Sequence, residues 1–144
     1  DAANGGAGDD VLDGGVGDDQ YIGGYGNQTY IVDSTGDRVL ESDPSLGQFD
    51  LGGIDTVRAS VSFSLAVPGA IFVENLVLTG TADSSGTGND QNNTITGNAG
   101  DNVIVGSPSA VNILSGVRAG AVVLLKGRRR PEPKDDPTGP SPKE

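Results

Sequence analysis

The chain has 144 residues, of which 24 are Gly, 34% are hydrophobic and 4% are aromatic, with a formal net charge of −11. So little apolar bulk excludes an ordinary close-packed core, and the absence of Cys and His excludes disulfides, thiolate sites and imidazole chemistry. Residues 1–117 hold 16 acids against 2 bases, a balance of −14, whereas residues 118–144 hold 7 bases against 4 acids, a balance of +3. An acidic body repels phosphate, so nucleic acid is a poor partner and multivalent cations are good ones.

From the N-terminus, four nine-residue units run in register: GGAGDDVLD (5–13), GGVGDDQYI (14–22), GGYGNQTYI (23–31) and the worn VDSTGDRVL (32–40). Position six holds Asp10, Asp19, Gln28 and Asp37; position eight holds Leu12, Tyr21, Tyr30 and Val39, always apolar. Asp1 falls at position six of an earlier unit and no Met is present, so the chain reads as a fragment or processed piece. Residues 41–87 form a connecting β module. Within it 41–53 is a polar connector, TVRASVSFSL (56–65) alternates as a half-buried strand, and IFVENLVLTG (71–80) is a second strand beyond the Pro68-Gly69 turn. A second repeat block spans 88–117: GNDQNNTIT (88–96) and GNAGDNVIV (97–105), with Asn93 and Asn102 at position six and Ile95 and Ile104 at position eight. SPSAVNIL reads as one more worn unit. The basic, then Pro-rich stretch 118–144 is expected to be disordered. Its longest strongly apolar run, AGAVVLL at 119–125, is too short to span a bilayer.

The unit GGxGxDxUx, with U a large apolar residue, carries its own chemistry. Its glycines permit positive φ and close backbone approach, so six residues can turn and leave carbonyls directed at one centre. The last three residues make a short strand with the middle side chain inward. Two units close a coil of 18 residues, and turns in successive coils lie about 4.8 Å apart. Asp1 then faces Asp19, and Asp19 faces Asp37. Carboxylates so close repel one another unless a cation lies between them. Ca²⁺ accepts six to eight carboxylate and carbonyl oxygens in flexible geometry, Mg²⁺ demands a stricter octahedron, and Zn²⁺ favours the His and Cys that are absent here.

These tandem units resemble the RTX (repeats-in-toxin), or haemolysin-type, calcium-binding family. Residues 50–106, with DTVRASVSFSL and VENLVLTGTA, resemble a module found between such arrays. The resemblance implies an all-β, right-handed parallel β-roll, secretion from a Gram-negative bacterium through a type I exporter, and folding by calcium outside the cell. It implies metal ligands at Gly6, Gly8 and Asp10, at Gly15, Gly17 and Asp19, and at Gly24, Gly26 and Asp37. Gln28 leaves Asp10 as the one carboxylate between turns 5–10 and 23–28, so a weaker site is expected there. Asn93 and Asn102 offer neutral oxygens, and stacked Asn side chains can hydrogen-bond along a coil without metal. The tail does not resemble a type I secretion signal; a frameshifted reading frame would account for its loss of period and its change of charge sign.

Other features have plainer readings. Asp9, Asp13 and Asp18 are expected at the surface, and Tyr21 and Tyr30 in the core rather than on a sugar platform. Asp33, Glu41, Asp50, Asp55 and Glu74 are read as exposed loop acids rather than glycosidase pairs, and the Arg128–Arg130 run as solvated. HExxH cannot exist without His, and no GxSxG is present, so the chain itself is expected to be non-catalytic. The leading expectation is a calcium-binding structural module of a secreted protein. The alternatives are the C-terminal part of a secreted protease, lipase or polysaccharide-modifying enzyme, or an adhesin or glycan-binding protein.

Overall fold

A computed structural model describes residues 1–41, 50–107, 112–115 and 122–125. Thirteen strands make up the fold, in chain order β1 (Ala2–Ala7), β2 (Val11–Asp13), β3 (Gln20–Tyr25), β4 (Thr29–Val32), β5 (Arg38–Leu40), β6 (Thr56–Ala59), β7 (Phe63–Ser64), β8 (Asn75–Leu78), β9 (Ser85–Thr87), β10 (Asn93–Thr96), β11 (Val103–Gly106), β12 (Asn112–Ser115) and β13 (Val122–Leu125). One 3-10 turn, Pro68–Ala70, is the sole helical element among the described residues.

Three parallel sheets result, with orders β1-β3-β5, β2-β4-β6-β8-β10-β12 and β7-β9-β11-β13. Successive strands in the chain fall in different sheets, so the chain climbs as a parallel β-solenoid, the expected β-roll. Ala2 pairs with Gln20, Gln20 with Arg38 and Val11 with Thr29, the expected offset of 18 residues. The offset then changes. Thr29 pairs with Thr56, because a further nine-residue unit, 41–49, is inserted between coils. Thr56 pairs with Asn75, and Asn75 with Thr94, each 19 residues on.

The core is a single file of inward side chains. Leu12, Tyr21, Tyr30, Val39, Ile95 and Ile104, all at position eight, are buried as expected. They continue through Val57, Leu76 and Leu78 of the connecting module. Tyr21 and Tyr30 meet edge to face with ring centroids 6.1 Å apart, an arrangement that adds about 1 kcal/mol beyond burial. The Tyr21 hydroxyl donates to the Ile31 carbonyl at 2.7 Å, so the ring's polar end is satisfied inside.

Two expectations need correction. The strand read over 56–65 is two strands, β6 and β7, which belong to different sheets. A bend at 60–62 separates them, and alternation of side chains does not reveal it. Strand β9 was missed because Gly86 holds the inward position. A Cβ there would lie 3.1–3.5 Å from Leu76, Ile95 and Ile104, whose side chains already fill the space.

Within the stretch expected to be disordered, Val122–Leu125 forms β13 and pairs with β11, so the last sheet extends into it. The Arg128–Arg130 run, the Pro-rich segment 128–144 and connector residues 42–49 lie outside the described residues.

Candidate metal centre

The turns form two columns, one at each edge of the solenoid. At the edge leading into β2, β4, β6, β8 and β10, the residue before each strand is Asp10, Gln28, Asp55, Glu74 and Asn93 in turn. The hydrogen bonds Thr29 N to Asp10 O (2.8 Å), Thr56 N to Gln28 O (2.9 Å), Asn75 N to Asp55 O (2.9 Å) and Thr94 N to Glu74 O (3.0 Å) tie these residues into one ladder. At the opposite edge, Asp1, Asp19 and Asp37 stack, held by Gln20 N to Asp1 O (2.9 Å) and Arg38 N to Asp19 O (2.8 Å).

The expected ligand glycines adopt the required backbone. Gly6, Gly8, Gly15, Gly17, Gly24 and Gly26 all have positive φ, between 84° and 114°. Gly24 stacks on Gly6, and Gly26 on Gly8. A Cβ at Gly24 would strike the Gly6 carbonyl oxygen, and one at Gly26 would strike that of Gly8. Both carbonyls therefore face the next turn, and only glycine lets the turns approach this closely.

The expected sets are not all assembled. Gly6, Gly8 and Asp10 share one turn, and Gly15, Gly17 and Asp19 share another. Gly24 and Gly26 stack in the column of Asp10, whereas Asp37 lies at the other edge beneath Asp19, so the third set is not brought together. Asp37 is already saturated: Oδ1 accepts the Asp19 N–H (2.8 Å), and Oδ2 accepts the N–H groups of Asp33 (3.0 Å) and Ser34 (3.2 Å). Without turn glycines, residues 32–37 fold back onto their own carboxylate.

Asp10 and Asp19 differ from Asp37. Each keeps one buried oxygen, Oδ2, with no hydrogen-bond partner. Asp19 is 4% exposed, and its other oxygen contacts the α-ammonium of Asp1 at 2.8 Å. A cationic group thus already stands in the Asp19 turn. Between turns 5–10 and 23–28 the Gln28 amide nitrogen donates to the carbonyls of Gly8 (2.9 Å) and Tyr25 (3.2 Å). That amide bonds the carbonyl oxygen that the resemblance assigns to a metal. The donor set suits Ca²⁺: orphaned carboxylate oxygens and inward carbonyls, with no soft ligand. Among the described residues no three Asp, Glu, His or Cys side chains gather around a common point. A cation in these turns would therefore take most of its oxygens from backbone.

The Asn block solves the same problem without charge. Asn93 donates through Nδ2 to Asn89 Oδ1 (3.0 Å) and to the carbonyls of Val73 (3.2 Å) and Glu74 (3.1 Å), and its Oδ1 accepts the Asn89 N–H (2.8 Å). Asn89 Nδ2 in turn reaches Ala70 O (2.9 Å) and Val73 O (2.7 Å). One half-coil later Asn98 and Asn102 repeat the pattern: Asn102 Oδ1 accepts the Asn98 N–H (2.9 Å), Asn102 Nδ2 donates to Asn98 Oδ1 (2.7 Å), and Asn98 Nδ2 reaches Thr79 O (3.0 Å) and Ala82 O (2.9 Å). These amides bind the carbonyls of the coil beneath, which leaves those oxygens engaged.

Asp9, Asp13 and Asp18 are exposed as expected. Asp9 and Asp18 nevertheless link coils: Asp9 Oδ1 accepts the Asn27 N–H (2.9 Å), and Asp18 Oδ1 accepts the Ser34 hydroxyl (2.5 Å). Asp33 and Asp50 are exposed too. The reading of Glu41, Asp55 and Glu74 as exposed loop acids is overturned: Glu41 is 0% and Asp55 1% exposed, and Glu74 is half-buried. The inserted unit 41–49 and the 19-residue offsets had hidden them from the repeat register. Restored to register, Glu41 stands at position one beneath Gly5 and Gly23, and DLGGIDTVR (50–58) is a further unit with Asp55 at position six.

Burial dominates their titration. It pushes the Glu41 carboxyl well above the usual carboxylate range, with the Tyr30 hydroxyl bond opposing and the Asp55 charge adding. Burial likewise raises Asp55 against the Gln28 N–H it accepts (2.7 Å), and it raises Glu74. Burial and the bond to Glu41 raise the Tyr30 hydroxyl. Burial also pushes Tyr21 up to about 12.

No helix among the described residues is long and apolar enough to cross a membrane. No curated protein and no solved structure matches the chain. The RTX calcium-binding nonapeptide repeat family does match, in four copies, over residues 1–27 and 79–109. The first match covers the orphaned carboxylates of Asp10 and Asp19, and the second covers the Asn ladder. With its nine-residue units wound into a parallel β-solenoid, this chain is an RTX-type calcium-binding repeat protein over those two blocks.

Proposed function

We propose that the chain is a non-catalytic structural module of a secreted bacterial protein, exported unfolded through a type I exporter and set into its coil by extracellular Ca²⁺. The observation that supports this reading is the pair of buried, unpartnered oxygens on Asp10 and Asp19. A buried carboxylate oxygen without a donor or counter-ion is costly. A calcium ion supplies charge neutralisation and oxygen coordination when bound. The residues that would hold it are Asp10 with the carbonyls of Gly6 and Gly8, and Asp19 with those of Gly15 and Gly17.

Within the module these residues perform no chemistry on a substrate. Gly6 and Gly8 hold carbonyls toward the next turn, Asp10 and Asp19 bring charge to the edge, and Leu12, Tyr21 and Tyr30 anchor the intervening strands. A calcium titration followed by circular dichroism tests the reading. Strand signal is expected to rise with calcium and to collapse in excess chelator; an unchanged spectrum in chelator would reject calcium-driven order.

A further inference from the structure

Between the two matched blocks lies a second arrangement of buried oxygens. Glu41 follows β5 and turns inward at the position where the coils above have Gly5 and Gly23. Its side chain uses the space those glycines leave: a Cβ on Gly23 would lie 2.8 Å from Glu41 Oε1 and would strike the Tyr30 hydroxyl. That hydroxyl donates to Glu41 Oε1. Asp55 enters from the next coil, with Oδ1 fixed by the Gln28 N–H at 2.7 Å. The two carboxyl groups lie within hydrogen-bonding reach of each other. Glu74 stands one coil further on; its Oε2 accepts the Asp55 N–H at 2.8 Å, which fixes Asp55 from the other side.

Neither Glu41 Oε2 nor Asp55 Oδ2 has a hydrogen-bond partner, and both residues are at most 1% exposed. Gln28, stacked directly on Asp55, adds a buried orphan of its own in Oε1. No Lys or Arg side chain forms a salt bridge with Glu41, Asp55 or Glu74 among the described residues. Three negative side chains thus meet near the axis of the coil with no basic residue to balance them. Two have anchored inner oxygens and free outer ones. A pair anchored in this way is already organised around an ion.

We propose that Glu41 and Asp55 form a separate divalent-cation site, selective for a hard ion such as Ca²⁺, at the seam where the acidic coils join the connecting module. It differs from the glycine turns in kind. Its charge comes from a position-one Glu that replaces a turn glycine and from the Asp of the following coil. Glu74 is a positioning residue, held on the Asp55 N–H and outside the coordination. The site lies outside both stretches that match the nonapeptide repeat. Its consequence is mechanical: the ion would join β5 to β6 across the inserted unit 41–49, the one place where coil spacing jumps by nine residues.

The test is calorimetric titration of the full chain with CaCl₂, comparing the unaltered protein with Glu41→Gln, Asp55→Asn and the paired Asp10→Asn/Asp19→Asn variant. Each seam variant is expected to lose one calcium equivalent that the paired variant retains. Glu41→Gln is also expected to be at least as stable as the unaltered chain in chelator, since it removes a buried charge, and to gain less from calcium. This separates loss of a ligand from loss of fold. Seam variants that bind as many equivalents as the unaltered chain would overturn the proposal and leave a proton shared between the two carboxyls, with the glycine-turn reading intact. Loss in the seam variants alone would uphold the proposal and count against the glycine turns. Absence of any calcium heat in the unaltered chain would overturn both.

Discussion

Residues 1–41 and residues 88–107 belong to one solenoid and share one nine-residue grammar, yet they close their turns by opposite means. In the first region position six carries Asp10, Asp19 and Asp37, and two of the three keep buried oxygens without partners. In the second it carries Asn93 and Asn102, whose amides reach back to the coil beneath and satisfy its carbonyls. An amide brings its own donor; a carboxylate must borrow a cation. Gln28 shows the exchange inside the acidic region, where its Nε2 serves the Gly8 carbonyl. The comparison teaches that the fold requires a donor at position six, and that the sequence chooses between a fixed donor and one supplied by solution. The first choice gives constitutive order, and the second makes order depend on calcium.

The comparison can be broken most forcefully by emptying the acidic region of charge. Asp10→Asn with Asp19→Asn is expected to weaken calcium affinity at the glycine turns by about 100-fold, near 2.7 kcal/mol, as read by calorimetry. Undiminished affinity would show that backbone carbonyls alone hold the ion. Next in size, Asn93→Asp removes the donors to Val73, Glu74 and Asn89 and places a carboxylate against carbonyl oxygens. Denaturant unfolding should show a loss of about 3 kcal/mol. Calcium should not restore it fully, because the turns of that block lack the glycine cradle.

Gln28→Glu should sharpen the contrast by changing sign with conditions. In chelator it loses the bonds to Gly8 and Tyr25 and should cost about 1–3 kcal/mol. In excess calcium it completes a pair with Asp10 and should recover that loss or more. A variant equally destabilised in both conditions would contradict the interchange of amide and cation.

The smallest effect is on pH dependence. Glu41, Asp55 and Glu74 have carboxyls raised above their ordinary values by burial. Their contribution to stability is therefore fully present below their unfolded values, about pH 4, and is lost as pH rises through the higher folded ones. In chelator, thermal midpoints should fall as pH rises from about 4 through neutrality. Saturating calcium should flatten that slope. A midpoint that instead rises over the same range would mean that the three acids are stabilised as anions by some other partner.

Much of this was legible in the sequence because glycine and large apolar residues are specific in their spacing. The 18-residue coil, the inward file from Leu12 to Val39 and the positive φ of Gly6, Gly8, Gly15 and Gly17 follow from the unit itself. The period failed as a guide wherever the offset departed from 18. Asp55 sits 27 residues from Gln28, so its place at position six could not be read from a strict repeat, and Glu41 was taken for a loop residue because it occupies a glycine's position. Gly86 hid β9 for a different reason: neighbouring side chains fill its inward space, so no apolar residue marks the strand. The bend between β6 and β7 left no trace in an alternating pattern. Asp37 matched by position but not by role, since a carboxylate's partners are chosen by the local turn, and residues 33–34 supply them.

Region-resolved hydrogen exchange on the full chain, with calcium and then with excess chelator, tests the central claim most directly. The account predicts that amides of β1 to β5 lose protection when calcium is removed, while those of β10 and β11 in the Asn block keep substantially more of theirs. Equal protection of the two regions in chelator, or greater loss in the Asn block, would contradict it.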